Sequence, residues 1–188
     1  MRSPHLMNRN DTGLLVIDMQ GKLMGKISQG TAVIQNTLLL IKGAAILGLP
    51  VYATEQYPHG LGPTVPELNG VLPLKQEKIE FSGALPQVID FFKGRGAQKI
   101  LLAGIEAHIC VQQTALDLLA QGFQVYLATD AVGSRHEEDW FLALRRMEKS
   151  GVTLTTSEAA LFEWTEKAGT PEFKEISRLV IEADERKQ

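Results

Sequence analysis

The sequence of 188 residues contains a single cysteine, Cys110, so no disulfide can form within the chain. A lone thiol also excludes a structural zinc site of the usual kind, which needs several cysteine or histidine ligands. Single unpaired cysteines are typical of reducing compartments, whereas small secreted domains carry paired cysteines. We therefore expect a cytoplasmic protein whose stability comes from one ordinary apolar core.

Positive charge and long apolar runs are also scarce. The 19 basic residues are outnumbered by 22 acidic ones, which gives a net charge of -3, whereas nucleic-acid binders cluster lysine and arginine to displace counterions from phosphates. The N-terminal segment MRSPHLMNRNDTG is polar and lacks the apolar region of a signal peptide. No apolar run approaches the ~20 residues that a membrane helix requires. These absences predict a soluble protein with a small-molecule partner, no nucleic acid and no membrane.

Short apolar runs rich in β-branched residues alternate with longer segments of helical period. The runs predict buried parallel strands, apolar on both faces, at 13–19, 49–56, 99–106, 123–132 and 152–159. Between them, apolar residues recur every three or four positions, which predicts helices at 31–48, 84–96, 108–122 and 137–151. This alternation specifies an α/β fold with a mainly parallel sheet.

The whole chain, 1–188, is interpreted as one domain, because no repeat, low-complexity segment or linker divides it. A last amphipathic helix is predicted over about 171–183, with Thr170 as its N-cap and Pro171 in its first turn. The charged tail after Ala183 is expected to fray.

Polar residues follow the predicted strands at their carboxyl ends, where a sheet of this type binds its ligands. They are Asp18, Gln20, Glu55, Gln56, Glu106, His108 and Asp130, with Cys110 just beyond. Cys110 lies at the start of a predicted helix, where the dipole and the unpaired N–H groups favour a thiolate. Packing of a small apolar residue between helix and sheet explains the same position equally well.

Asp18 and Lys78 are ambiguous when each is taken alone. A carboxylate at the end of the strand LLVID can accept a proton or orient a thiol, but many aspartates at such positions only cap a loop. Lys78 lies in the segment KQEKIEFSGA, where a lysine is more commonly solvated.

Together the three residues resemble the isochorismatase-like cysteine hydrolases, which include nicotinamidases, N-carbamoylsarcosine amidases and isochorismatases. The segment GIEAHIC, residues 104–110, matches the family's Gly-aliphatic-x-x-x-x-Cys motif. VIDMQ at 16–20 matches its hydrophobic-hydrophobic-Asp-x-Gln strand end, and KIEFS at 78–82 matches its K-x-x-aromatic-Ser motif. The resemblance extends from about residue 12 to about 165, the core of the predicted domain. It is strongest to the branch of isochorismatase domain-containing proteins.

The resemblance implies a three-layer α/β/α fold with a six-stranded Rossmann-like sheet and an Asp18, Lys78, Cys110 triad. In the implied mechanism Asp18 takes the thiol proton, Lys78 holds both anions electrostatically, and Cys110 attacks a carbonyl carbon to form a thioester. The backbone N–H groups of Glu106 and Cys110 bind the oxyanion, and a cis peptide bond joins Ile105 to Glu106. Family members commonly form dimers, tetramers or larger rings, so a homo-oligomer is expected.

The substrate pocket is predicted from the loops that border Cys110. Its candidate residues are Gln20, Leu23, Tyr57, Phe81 and Ile105. Aromatic side chains there can enclose a planar amide or ring, although core packing is their commoner fate.

The segment TEQYPHG departs from the metal-binding pattern of nicotinamidases. Glu55 and Gln56 stand where that pattern has Asp and His, and only His59 is nearby, so no metal and no cofactor is expected. Without the metal, nicotinamide is a less favoured substrate. Because true isochorismatases cleave a vinyl ether without a thiol, Cys110 favours hydrolysis of a C–N bond in an amide or carbamoyl compound.

Two hypotheses from other classes remain open beside this one. The fold can serve as an assembly or binding module with a vestigial triad, using Trp140, Phe141 and Phe173 for subunit contacts, although packing on one helix face also explains these residues. The lone thiol can also serve as a redox sensor.

Overall fold

Strands that are apolar on both faces need helices on both sides of the sheet, and the computed structural model, which describes residues 2–185, has this arrangement. Its strands are β1 (Thr12–Ile17), β2 (Val51–Gln56), β3 (Lys75–Lys78), β4 (Lys99–Ile105), β5 (Gln124–Gly133) and β6 (Thr153–Thr155). They form one sheet in the order β3-β2-β1-β4-β5-β6. Every neighbouring pair is parallel, so the predicted α/β fold is confirmed and its sheet is parallel throughout.

Helices connect the strands and form the two outer layers. They are α1 (Gly21–Met24), α2 (Gly30–Leu47), α3 (Pro58–Leu61), α4 (Pro66–Asn69), α5 (Pro86–Lys93), α6 (Gln112–Ala120), α7 (Glu137–Lys149), α8 (Ser157–Thr165) and α9 (Pro171–Glu185). A π-helical turn, Ala107–Val111, leads from β4 directly into α6.

Side chains alternate between two cores along the central strands. Leu14 and Val16 of β1 face the core that α2, α8 and α9 complete. Leu15 and Ile17 face the opposite core, which α5, α6 and α7 complete. Since this alternation is the two-residue period of a strand, β1 is held from both sides and the position of its carboxyl end is fixed.

The structure differs from the predicted elements at both edges of the sheet. The pattern of apolar runs misses β3, because its sequence KQEK is polar and only Lys78 within it is buried. The strand predicted over 152–159 is limited to Thr153–Thr155. Its second half is the start of α8, where the hydroxyl of Thr156 accepts a hydrogen bond from the N–H of Ala159, as an N-cap does.

By length and composition α2 is able to cross a membrane, with a mean hydropathy of 1.4 over its 18 residues. The expectation that no apolar run approaches that length therefore does not hold for α2. Half of the helix is buried inside the protein, where it packs on the sheet and contacts α8 and α9. This is the packing of a core helix.

The last helix, α9, begins as predicted and ends later. Thr170 Oγ1 accepts a hydrogen bond from the N–H of Phe173 at 3.1 Å, so Thr170 is the N-cap. The helix ends at Glu185 and not at Ala183, and the fraying of this charged end stays a prediction. The rest of the predicted tail, 186–188, lies outside the described residues.

Gly104 allows β1 and β4 to approach closely near their carboxyl ends. It pairs with Ile17 in the register of the two strands and has a φ of 126°. A Cβ atom at this position would lie 2.1 Å from the carbonyl oxygen of Ile17. A side chain at residue 104 would therefore force apart the two strands that precede Asp18 and Cys110.

Gly104→Ala is expected to lower the free energy of unfolding by about 3 kcal/mol, because the added methyl meets backbone that cannot rotate away. Urea unfolding followed by tryptophan fluorescence measures the loss. Gly122→Ala is the matched control, since Gly122 also has a positive φ, 86°, but has nothing within 4 Å of the added Cβ. It should lose only the ~1–2 kcal/mol of a left-handed alanine. Equal losses in the two variants would contradict the steric explanation.

Candidate active site

A lysine and an aspartate are paired in the interior at the carboxyl edge of the sheet. Lys78 Nζ lies 2.7 Å from Asp18 Oδ2, and both side chains are 0% exposed. Buried charges are tolerated when they are paired and hydrogen-bonded. The structure thus brings together two of the three residues predicted to be catalytic. Lys78 is buried, although a lysine in such a polar segment is more commonly solvated.

The edge strand β3 delivers Lys78 to this position. Lys78 pairs with Gln56 in the register of β2 and β3, and its Nζ donates to Gln56 Oε1 at 2.6 Å. It also donates to the carbonyl oxygens of Glu80 at 3.1 Å and Phe81 at 3.0 Å. Since an ammonium group has three protons, these bonds use all of them, and the contact with Asp18 is electrostatic.

Asp18 follows β1 with a φ of 51°, in the left-handed region that residues other than glycine seldom adopt. Its N–H donates to the carbonyl of Thr54 at 3.1 Å, and its Oδ1 accepts from Thr54 Oγ1 at 2.7 Å. Apart from the contacts of this carboxylate with Lys78 and the Cys110 thiol, Oδ2 accepts no hydrogen bond from any residue in 2–185. One carboxylate oxygen is therefore anchored, and the other keeps the capacity to accept a proton.

Cys110 lies in the π-helical turn and is buried. Its carbonyl accepts from Thr114 Oγ1 at 2.6 Å, and that hydroxyl accepts from the N–H of Gly83 at 2.7 Å. Thr114 thus ties the helix after Cys110 to the loop after Lys78. The charges of Asp18 and Lys78 both act on the thiol, so the structure brings all three predicted residues into one site.

This environment raises the pKa of the Cys110 thiol to about 12. Burial has the largest effect, the negative charge of Asp18 adds to it, and the positive charge of Lys78 opposes both. The expectation that the helix N-terminus favours the thiolate is therefore wrong for the resting site, because desolvation and Asp18 outweigh it. At neutral pH the thiol keeps its proton.

The backbone around Cys110 has an irregular hydrogen-bond pattern. The carbonyl of Glu106 accepts from the N–H groups of Ile109 at 3.0 Å and Val111 at 3.2 Å, and it bypasses the N–H of Cys110 between them. The peptide bond between Ile105 and Glu106 is cis, as the resemblance implies. Within residues 2–185 the N–H of Glu106 donates to no other protein group, so it is free to bind a substrate oxygen.

The predicted pocket residues differ in how they face the solvent. Tyr57 and Phe81 are each 55% exposed, and both bond to Lys78 through their backbones. Both side chains are therefore open to solvent on segments whose backbones contact the buried lysine. Ile105 is fully buried in the core and Leu23 packs against that core, so these two residues support the site from within.

Gln20, another predicted pocket residue, is hydrogen-bonded to the protein backbone. Its side chain is buried, its Nε2 donates to the carbonyls of Gln56 at 3.0 Å and Gly62 at 2.6 Å, and its Oε1 accepts from the N–H of Gln56 at 2.7 Å. With both donors of its amide used and its side chain buried, Gln20 fixes the ends of β1 and β2 relative to each other.

The positions of the family's metal ligands are engaged in other bonds. Glu55 Oε1 accepts from the N–H and hydroxyl of Thr64 and from Lys75 Nζ, at 2.7, 2.6 and 3.2 Å. Burial tends to raise the pKa of Glu55, but these bonds outweigh it and leave the pKa lowered. No three His, Cys, Asp or Glu side chains gather into a metal-binding group within residues 2–185.

A cavity of about 320 Å³ lies elsewhere, between the start of α2, the end of β5 and the start of α7. Two polar side chains in its wall are already bonded: Asp130 Oδ1 accepts from the N–H and hydroxyl of Ser157, and Ser134 Oγ lies 2.9 Å from His108 Nδ1. None of Asp18, Lys78 and Cys110 lines it, so this cavity is separate from the Cys110 site.

Two residues of the site, Thr54 and Gln56, belong to neither the predicted triad nor the predicted pocket, although Gln56 is one of the polar residues at the strand ends. They lie two residues apart on β2, so their side chains point to the same face of the sheet. There Thr54 bonds to Asp18 and Gln56 bonds to Lys78. Their signal in the sequence is the polar end of an otherwise buried strand, VYATEQ. Only the register of the sheet shows that these side chains hold the ion pair.

The fold and the site together define a class of protein: a parallel α/β protein with a thiol, a carboxylate and an ammonium group at the carboxyl edge of its sheet. Residues 12–159 match the isochorismatase domain, and the chain belongs to the isochorismatase family. It has the fold of the hydrolases of that family.

Relatives of similar length support this assignment. Isochorismatase domain-containing protein 2 of Danio rerio is 43% identical over 168 residues, which cover 89% of this chain and 85% of the relative. The human protein of the same name is 41% identical, with 90% and 82% covered. The solved structure of MAR1 ribonuclease from Caenorhabditis elegans is 38% identical, covers 94% of this chain and 92% of its own, and superposes with a TM-score of 0.89.

Asp18→Asn is expected to lower the pKa of the Cys110 thiol and to speed its alkylation. The change removes the charge that raises this pKa and keeps Lys78, whose charge lowers it. Because only the thiolate reacts, iodoacetamide should label the wild type slowly at pH 7 and faster as the pH rises. A fall of one pKa unit makes the variant about tenfold faster at pH 7.

The labelling is specific because Cys110 is the sole thiol of the chain, so Cys110→Ala gives the baseline. Thr54→Val is the matched control: it removes the hydrogen bond to Asp18 and leaves both charges in place, so its rate should stay close to that of the wild type. Slower labelling of Asp18→Asn than of the wild type would contradict the electrostatic explanation.

Proposed function

We propose that this protein is a cysteine hydrolase that cleaves the C–N bond of an amide or carbamoyl group in a small molecule, through the triad Asp18, Lys78 and Cys110. The observation that carries the proposal is the carboxylate of Asp18. Thr54 holds one of its oxygens, and the other lies beside Lys78 and, apart from the contacts of this carboxylate with Lys78 and the Cys110 thiol, accepts no hydrogen bond within residues 2–185. A carboxylate prepared in this way next to a protonated thiol is suited to act as a general base.

In the first step Asp18 Oδ2 takes the proton of the Cys110 thiol while Sγ attacks the carbonyl carbon of the substrate. The S–C bond forms, the π electrons of the carbonyl move to its oxygen, and the N–H groups of Glu106 and Cys110 donate to the oxyanion. The C–N bond then breaks, and the leaving nitrogen takes the proton from Asp18. Ammonia or an amine departs, and a thioester remains on Cys110.

Water completes the reaction. Asp18 takes a proton from a water molecule whose oxygen attacks the thioester carbonyl, and the S–C bond breaks as the second tetrahedral intermediate collapses. The carboxylic or carbamic acid leaves, and the proton on Asp18 returns to Sγ. Atoms and charges balance with water as the one co-reactant, and the site regains its resting state.

Lys78 remains positively charged through these steps. In the resting site it pairs with Asp18, and after proton transfer it faces the thiolate of Cys110, so one fixed cation stabilises whichever group carries the negative charge. Its bonds to Gln56, Glu80 and Phe81 hold it in place. The raised pKa of Cys110 fits a thiol that is deprotonated as it attacks and not before.

Two exposed aromatic side chains support a planar reacting group. Tyr57 and Phe81 are exposed on segments whose backbones bond to Lys78, and aromatic faces bind planar amides or rings well. The solved relative from Caenorhabditis elegans bears the name ribonuclease, which makes RNA the second substrate to test. The excess of acidic over basic residues, 22 against 19, favours a small amide over a polyanion.

We also propose that the protein is a cytoplasmic homo-oligomer. Phe141 and its neighbour Leu142 on α7 are 50% and 54% exposed, as apolar residues at subunit contacts are. The other predicted contact residues pack within the protein: Trp140 Nε1 donates to the carbonyl of Val132, and Phe173 lies against Phe162 with ring centres 6.5 Å apart. Only Phe141 of the three is exposed.

The wild-type protein is expected to release ammonia from at least one member of a panel of small primary amides, ureides and carbamoyl compounds. Cys110→Ala should lose this activity by roughly 10³-fold or more, because the nucleophile is gone. Asp18→Asn should lose about 10²- to 10⁴-fold, the contribution of a general base. An enzymatic ammonia assay measures turnover, and intact-protein mass spectrometry detects the acyl group on Cys110.

An RNA oligonucleotide and a vinyl ether are included in the same panel. Equal ammonia release by the wild type and Cys110→Ala would contradict the thiol mechanism. Cleavage of RNA or of the vinyl ether without ammonia release would replace the proposed substrate class. If Cys110→Ala and the wild type support the same cellular phenotype while a charged substitution at Phe141 abolishes it, the protein acts as an assembly module.

A further inference from the structure

Glu106 carries a buried carboxylate beside the site that the proposed mechanism does not use. The residue is 7% exposed, and its Oε2 accepts two hydrogen bonds from one residue, Arg135. The backbone N–H of Arg135 donates at 3.1 Å and its guanidinium Nε at 3.1 Å. Main chain and side chain of Arg135 thus fix the direction of the carboxylate as well as its position.

The backbone of Glu106 performs two tasks at the same place. Its carbonyl accepts hydrogen bonds from the N–H groups of Ile109 and Val111. These bonds stabilise the turn that contains Cys110. Its own N–H donates to no other protein group within the described part of the chain, and the mechanism above assigns it to the oxyanion. Any rotation of Glu106 would therefore move the oxyanion donor relative to the sulfur.

The segment that holds Arg135 is itself anchored. Ser134 precedes it and is buried, its carbonyl accepts from the N–H of Ser28 at 3.1 Å, and its hydroxyl lies 2.9 Å from His108 Nδ1. His108 belongs to the same turn as Cys110. The end of β5 therefore forms a fixed support on which the Glu106 carboxylate is held.

We propose that Glu106 and Arg135 form a positioning pair that directs the backbone N–H of Glu106 at the oxyanion formed on Cys110. The inference rests on the proposed cysteine hydrolase function, and it adds a role for two side chains outside the triad. Stability alone is a weaker explanation for the guanidinium, because the side chain of Arg135 is 47% exposed and ion pairs with an exposed partner stabilise a fold only slightly.

Two reagents separate oxyanion binding from the reactivity of the thiol. 4-Nitrophenyl acetate reacts through a tetrahedral oxyanion: the Cys110 S–C bond forms, 4-nitrophenolate leaves, and Asp18 takes the thiol proton. Iodoacetamide reacts by displacement of iodide at a saturated carbon, with no charge developing on an oxygen bound by the N–H groups. The ratio of the two rates on the single thiol therefore reports on the oxyanion donors and is independent of the natural substrate.

Arg135→Ala is expected to slow acylation by 4-nitrophenyl acetate about 10- to 100-fold, since displacement of a catalytic group by about an ångström has effects of this order. Its alkylation by iodoacetamide should stay close to the wild-type rate. Arg135→Lys keeps a positive charge near Glu106 and should recover part of the acylation rate. Glu106→Gln keeps an acceptor oxygen for the backbone N–H of Arg135 and should fall between the wild type and Arg135→Ala.

Arg178→Ala is the matched control, because Arg178 is an exposed arginine on α9 and belongs to neither ion pair nor the proposed subunit contact, and both of its rates should equal those of the wild type. The inference is overturned if Arg135→Ala changes acylation and alkylation by the same factor, or changes neither. Absence of Cys110-dependent acylation in the wild type overturns the proposed function and this inference together, whereas normal wild-type acylation with an unchanged rate ratio overturns the inference alone.

Discussion

The site depends on one interaction, the ion pair between Lys78 and Asp18 inside the protein. Neither side chain is exposed, and their charged atoms lie 2.7 Å apart. Removing two charges from water is costly, and their mutual attraction offsets that cost only when further hydrogen bonds satisfy them. Thr54 and Gln56 supply these bonds from the polar end of β2, and the short polar strand β3 brings the lysine to them. The polar end of β2 and the polar strand β3 are unusual in a parallel sheet, and the need to hold this ion pair explains both.

The pair also determines the state of the thiol. A cation alone beside Cys110 would favour the thiolate at neutral pH. Lys78 is already paired with Asp18, however, and burial together with the carboxylate raises the pKa of Cys110 to about 12. Oxidation to a sulfenic acid proceeds through the thiolate, so this site is poorly suited to a redox sensor. It is well suited to a nucleophile that loses its proton to a neighbouring base only during attack.

Much of the fold follows from local sequence, and the parts that do not are those fixed by tertiary contacts. The doubly apolar runs predict β1 and β4 and place Asp18 and Cys110 at their carboxyl ends. Nothing in KQEK indicates a strand, because β3 is held by its pairing with β2. Motif resemblance picks out Lys78, whereas its burial and the role of Gln56 depend on strand register. The direction of the Cys110 pKa shift was mispredicted because a helix N-terminus is visible in sequence and desolvation is not.

The strand order separates two ion pairs on either side of Cys110. Cys110 follows β4, the strand between β1 and β5. The groups proposed to transfer the proton lie at the ends of β1 and β3 on one side, where Asp18, the proposed base, is paired with Lys78. The pair between Glu106 and Arg135 lies towards β5 on the other side, beside the proposed oxyanion donor. Because the two pairs share no residue, the acidity of the thiol and the binding of the oxyanion can be altered separately, and the turn that contains Cys110 is where their effects meet.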